Sequence, residues 1–165
     1  MNDRIYIGLG ANLPSDAGSP VATLEKAIAD LAATGVAIRC RSPWFETAPV
    51  PRAVDQPWYI NGVIEVATHL EPADLLTLLQ RLEAGSGRVR SVVNAARPLD
   101  LDIIAYRDLV ETVHDPLLPH PRMADRAFVL LPLQRIAPSW RHPISGCSIG
   151  ELIAALSPDQ EIRLL

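Results

Sequence analysis

Leu99-Asp100-Leu101-Asp102-Ile103-Ile104 alternates apolar and acidic residues before turning wholly apolar. Side chains at i and i+2 of a β-strand share a face. The stretch therefore predicts a strand, running on to Tyr106, with Leu99, Leu101 and Ile103 buried behind and both carboxylates forward. It follows a segment bearing Arg88, Arg90 and Arg97, with Arg81 just upstream. Two hard-oxygen donors facing guanidinium groups point to magnesium and a polyphosphate. A matched pair of exposed acids on a solvated face is the other reading of the same residues.

Working outward from that strand, Glu71-Pro72 opens a helix whose apolar stripe is Leu75, Leu78, Leu79 and Leu82 and whose end is Gly85. Tyr59 to Thr68 reads as one strand with a bulge or close approach at Gly62, the alternative being a hairpin turn at Asn61-Gly62. Prolines among small and polar residues make Thr47 to Pro57 an extended loop. Val36 to Glu46 alternates as a strand, with Val36, Ile38 and Cys40 to one side and Arg39 and Arg41 to the other. Ser19-Pro20 caps and opens a helix carrying Val21, Leu24, Ile28 and Leu31, closed by Gly35. Arg4 to Leu9 is a short buried strand.

Downstream, Pro116, Pro119 and Pro121 stiffen a connection. Met123 to Leu131 predicts a short helix ended by Pro132, Ile149 to Leu156 an amphipathic turn or two, and the tail is strand-like. The order strand, helix, strand, strand, helix, strand predicts an α+β fold, a ferredoxin-like β-α-β-β-α-β sheet with helices packed against it. With 165 residues, 48% of them hydrophobic, the chain suits a single domain over 1–165.

A net charge of −4 argues against a protein devoted to nucleic-acid backbones. The positive charge is local, and all but one of the 15 basic residues are arginine, the exception being Lys26. Arginine's planar fork grips phosphate oxygens in two places, although such a cluster also occurs as a solvated face. Cys40 and Cys147 lack the spacing of a disulfide framework or a zinc site. No run has the length of a membrane span, and the N-terminal apolar run is too short for a signal peptide, so the expectation is a cytoplasmic protein without a membrane partner.

Other residues admit two readings each. Gln80 and Glu83, three apart on the second helix, are plain surface or face a ligand. Tyr59 and Phe128 are core aromatics or a pair that stacks on a flat heterocycle. Asn61 belongs to a turn signal, or its amide reads a heterocycle's edge. His120, pinned between Pro119 and Pro121, is incidental to a prolined turn or presents its imidazole in a fixed direction.

Together, Tyr6-Ile7-Gly8-Leu9-Gly10-Ala11-Asn12-Leu13, Phe45-Glu46-Thr47-Ala48-Pro49-Val50 and Asp55-Gln56-Pro57-Trp58-Tyr59-Ile60-Asn61-Gly62-Val63 resemble the 6-hydroxymethyl-7,8-dihydropterin pyrophosphokinases. The resemblance continues through Gly87-Arg88-Val89-Arg90, Arg97-Pro98-Leu99-Asp100-Leu101-Asp102-Ile103, Pro119-His120-Pro121-Arg122 and Arg126-Ala127-Phe128-Val129-Leu130. It implies an ATP-dependent enzyme that moves pyrophosphate to a reduced pterin alcohol, with two magnesium ions (Mg2+) on Asp100 and Asp102; a monomer is expected. It implies a nucleotide site from Gln80, Glu83, Arg88, Arg90, Arg97, Ile103, His120 and Arg126, with Arg88 and Arg97 also catalytic. The pterin would stack between Tyr59 and Phe128 and be read by Asn61 and by groups around Thr47, Ala48 and Val50. One departure is Asn94-Ala95-Ala96, where the family commonly carries Trp-Gly-Pro. Two rival expectations use the same residues: a metal-dependent phosphohydrolase, and a nucleotide- or RNA-binding module on a ferredoxin-like sheet.

Overall fold

The computed structural model describes residues 2–49, 55–86 and 98–165. Among these residues the architecture is mixed, with one antiparallel sheet and four helices: β1 (Ile5–Ala11), α1 (Pro20–Ala33), β2 (Ala37–Arg41), β3 (Phe45–Thr47), β4 (Tyr59–Ala67), α2 (Pro72–Gly85), β5 (Asp100–Tyr106), α3 (Ala127–Ile136), α4 (Ile149–Ala154) and β6 (Ile162–Leu164). A single 3-10 turn, Met123–Asp125, precedes α3. The sheet order is β5-β1-β4-β3-β6, and β2 also pairs with β4. Among the described residues no helix is long and apolar enough to cross a membrane.

Each face of the sheet has its own core. Ile5, Ile7 and Leu9 of β1, Ile60, Ile64 and Val66 of β4, and Leu101 and Ile103 of β5 pack under Leu24, Ile28 and Leu31 of α1 and Leu75 and Leu79 of α2. On the other face Tyr6, Val63 and Ile104 meet Val129, Leu130 and Leu133 of α3 and Ile149 at the start of α4. The alternation in β5 therefore sorts as the sequence expects: Leu101 and Ile103 go to the first core, and Asp100 and Asp102 are half-buried on the opposite side. A register irregularity between Tyr6 and Ile7 leaves Ile104 as the extra residue of β5. Ile104 and Ala105 then both enter the second core, and Tyr106 returns to the first.

The helix starts follow local chemistry. Ser19 accepts a hydrogen bond from Ala22 N at 3.2 Å, and Pro20 opens α1 where its missing N–H costs nothing. Gly35, at φ +94°, takes the left-handed turn after the helix that other residues resist. Ser148 and Glu151 form a capping box on α4.

Four expectations change. The strand expected from Val36 to Glu46 is two, because Ser42, Pro43 and Trp44 step out of line between β2 and β3. Ser42 Oγ accepts from Val63 N at 2.9 Å in place of a ladder bond, while Trp44 lies across Gly62, where a Cβ would sit 2.6 Å from the indole. That contact explains the glycine: β4 is one continuous strand, with no hairpin at Asn61-Gly62. Cys40, expected on a buried side, is exposed. The third helix begins at Ala127 and runs through Pro132 to Ile136; burying Val129, Leu130 and Leu133 outweighs the roughly 3 kcal/mol of an interior proline. Finally, the C-terminal strand adds itself to the sheet through Phe45↔Leu164 and Thr47↔Ile162, a sixth strand beyond the expected pattern.

Candidate active site

Strand register puts a row of four residues across the α3 side of the sheet: Asp100 beside Gly10, Gly10 beside Asn61, and Asn61 beside Phe45. Asp102 pairs with Gly8 in the next row but one. Adjacent strands lie about 4.8 Å apart, so Asp100 and Asn61 are roughly 10 Å apart with only a glycine between them. A Cβ on Gly10 would stand 2.7 Å from Asn61 Oδ1. The glycine therefore keeps the floor clear and lets the Asn61 amide lie across it.

Asn61 is buried, and its Nδ2 donates to Thr47 Oγ1 at 2.7 Å. This bond fixes the orientation of the amide at the end of β3. A cavity of about 350 Å³ opens above the row and brings together Thr47, Ala48, Tyr59, Asn61, Asp100, Arg126 and Phe128. The Arg126 guanidinium lies 5.3 Å from the Phe128 ring centre, where α3 begins. The lining thus combines two aromatic rings, a buried amide and charged groups, with Arg126 against the Phe128 ring and Asp100 across the Gly10 floor from Asn61. Such a space accepts a flat polar heterocycle with an anionic tail.

Asp102 lies one step along the same strand face, outside that lining. Two aspartates suit a hard cation that takes its remaining ligands from water and phosphate. Among the described residues no group of three or more His, Cys, Asp or Glu could hold a metal.

Four more of the expected residues lie outside the lining of the cavity. Glu83 is 2% exposed, and its Oε2 accepts from Leu101 N at 3.0 Å, tying α2 to the strand between the two aspartates. The Ile103 side chain is sealed in the first core. Gln80 is half-buried on α2, a turn ahead of Glu83, and like it is not in the cavity. His120 is pinned by its own N–H, which donates to Ile104 O at 2.8 Å, and its Nδ1 accepts from Arg122 N at 3.1 Å. Burial, then the charge of Arg126, lowers its pKa to about 4, with Asp100 pulling the other way. The imidazole is neutral at pH 7, with its proton assigned to Nε2 by that hydrogen bond. Val50, Arg88, Arg90 and Arg97 lie outside the described residues.

The cavity also has walls the sequence reading did not assign. Gln56, Arg122 and Asp125 contribute, and so do Ser157, Asp159 and Gln160 from the segment leading into β6. Gln56 and Arg122 lie within motifs already noted and Asp125 adjoins one, but no local pattern marks the last three.

The 7,8-dihydro-6-hydroxymethylpterin-pyrophosphokinase (HPPK) family model matches residues 6–138. The 2-amino-4-hydroxy-6-hydroxymethyldihydropteridine pyrophosphokinase of Pseudomonas aeruginosa is 40% identical over 94% of this chain and 93% of its own. The protein of the same name from Methylorubrum extorquens is 37% identical over 94% of both chains. The folic acid synthesis protein fol1 of Pneumocystis carinii is 36% identical over 90% of this chain, which spans only 20% of that longer protein. Among solved structures, wild-type HPPK-DHPS of Plasmodium falciparum superposes with a TM-score of 0.69 over 93% of this chain and 43% of its own, at 15% identity, a likeness of fold.

Proposed function

The chain belongs to the 7,8-dihydro-6-hydroxymethylpterin-pyrophosphokinase family, and on that premise we propose that it transfers pyrophosphate from ATP to 6-hydroxymethyl-7,8-dihydropterin, releasing AMP, as one pyrophosphokinase domain over residues 1–165. The observation that carries this reading is the single cavity joining the Asn61–Thr47 amide and the Tyr59 and Phe128 rings to the Asp100 carboxylate. We read the scaffold as a ferredoxin-like sheet whose second strand is divided into β2 and β3 and whose edge is extended by β6.

In this reading the pterin lies between Tyr59 and Phe128, with its polar edge against Asn61, Thr47, Ala48 and Val50. The hydroxymethyl group then points along the Gly10 floor toward Asp100. Asp100 and Asp102 hold two magnesium ions, which when bound supply Lewis-acid neutralisation of the nucleotide's phosphate oxygens. Arg126 and the neutral Nε2–H of His120 add donors for the nucleotide, joined by Gln80, Arg90 and the main chain at Ile103. Glu83 acts through Leu101, holding the aspartate strand in place. Arg88 and Arg97 neutralise charge on the transferring group.

The hydroxymethyl oxygen forms a bond to the β-phosphorus as the bond from that phosphorus to the α–β bridging oxygen breaks. AMP leaves with the bridging oxygen, and the alcohol proton passes to solvent. Positioning and charge neutralisation carry most of the acceleration.

A phosphohydrolase would need the acids and arginines but not an aromatic slot next to a fixed amide. The test is to mix the protein with ATP, magnesium and the reduced pterin alcohol and follow AMP. AMP should form only when all three are present. Pterin-independent release of AMP or inorganic phosphate would overturn the reading, and salt-sensitive RNA binding unchanged by Asp100→Ala would favour a nucleic-acid module.

A further inference from the structure

Arg126 is the N-cap of α3, yet its side chain makes no capping bond, and Ala127 after it is a buried residue. The first N–H groups of a helix need partners from outside it. Here the partner comes from the far end of the chain. Gln160 Oε1 accepts from Ala127 N at 2.9 Å, and Gln160 Nε2 donates to Asp125 O at 2.9 Å. These two main-chain groups flank Arg126, so one planar amide grips the backbone on both sides of that residue.

We propose that Gln160 is a positioning residue of the substrate cavity: by bracketing Arg126 it sets the direction in which Arg126 and Phe128 enter the pocket. The inference rests on the functional reading above. It concerns a segment beyond residue 138, where the family match ends.

A second set of contacts shows why Gln160 can act as a strut. Its segment is anchored on the opposite wall, because Glu161 O accepts from Ala48 N at 3.1 Å and β6 pairs with β3. Arg163 Nε donates to Glu46 Oε2 at 2.8 Å while its guanidinium lies 4.8 Å from the Trp58 ring centre. Gln160 therefore spans from the Thr47–Ala48 wall to the start of α3, and the width of the slot between them depends on its reach. Replacing its side chain leaves all of these anchors in place, so the variant keeps its fold.

The experiment compares the full-length wild type with Gln160→Leu and Gln160→Glu in two assays: steady-state AMP formation, and fluorescence titration with the reduced pterin alcohol in magnesium and a non-hydrolysable ATP analogue. Gln160→Leu removes both bonds and should raise the pterin KM about tenfold, with kcat falling by less. A merely structural role would reduce the active fraction, lowering kcat at unchanged KM.

Gln160→Glu adds a pH signature. Its carboxylate accepts from Ala127 but sets an acceptor against Asp125 O, whereas the protonated acid offers one donor and one acceptor, as the amide does. Pterin affinity of this variant should be weak at pH 8 and recover toward wild type near pH 5. Asp125, Asp159, Arg122 and Arg126 line the same cavity, so the wild type is followed over the same range to subtract their titration. A pterin KM within twofold of wild type for Gln160→Leu, or a pH-flat defect in Gln160→Glu, would overturn the proposal. Wild type that neither binds pterin nor forms AMP would sink the functional reading and this inference with it, whereas normal wild type with unaffected variants sinks the positioning role alone.

Discussion

The two faces of the sheet are made from alternate residues of the same strands, yet they are finished differently. The face under α1 and α2 is apolar from Ile5 to Leu9 and from Leu99 to Ile103. The face under α3 and α4 is apolar only at one end, around Tyr6, Val63 and Ile104, and at the other end carries Gly8, Gly10, Asn61, Asp100 and Asp102. One face is packed throughout, and the other gives one end to the cavity. A period of two lets a single strand serve both purposes, because changing every second residue leaves the opposite face untouched.

That division is open to attack. Asp102→Ala should cut AMP formation by about 10³-fold, on the order of 4 kcal/mol in the barrier, while the denaturant midpoint barely moves. Leu101→Ala, its immediate neighbour, should do the reverse: a loss of about 3 kcal/mol in unfolding free energy, with near-normal activity per folded molecule. Equal stability losses in the two variants would show that the faces are not separable. The Leu101 N–H that binds Glu83 survives both changes, so any activity lost in Leu101→Ala reports movement of the strand.

The smallest effect is one of pH. His120 has a folded pKa of about 4, below its ordinary 6.5, so the unfolded chain takes up the proton first as pH falls. Stability from the neutral imidazole is complete above pH 6.5 and drains away down to about pH 4. His142 is also shifted down by burial and acts in the same direction. Urea unfolding of wild type and His120→Asn at pH 7 and pH 4.5 should therefore show a smaller acid-induced drop in the variant. An identical drop would remove His120 from the account.

How far the site could be read in advance varies with the range of the interactions involved. The aspartate pair was legible because both residues sit on one strand and share its alternation. Gly62 was legible as a close approach, but not that Trp44 is the neighbour, since nothing near Trp44 points to β4. Glu83 had the spacing of a ligand-facing residue; its bond to Leu101 N depends on α2 packing against β5. Pro132 read as a helix end because a local rule weighs the lost N–H and cannot weigh the core beneath Leu130 and Leu133.

The sequence by itself determined the general order of strands and helices, the Ser19-Pro20 start of α1 and the faces taken by Leu101, Ile103, Asp100 and Asp102, since these follow from spacing, chirality and neighbours a few positions away. Only the tertiary structure decided that β6 would close the sheet, that Asn61 would be locked by Thr47, and that Gln160 would reach back 33 positions to Ala127. Those pairings join groups remote along the chain, and no periodicity encodes a partner whose distance is set by how whole layers pack.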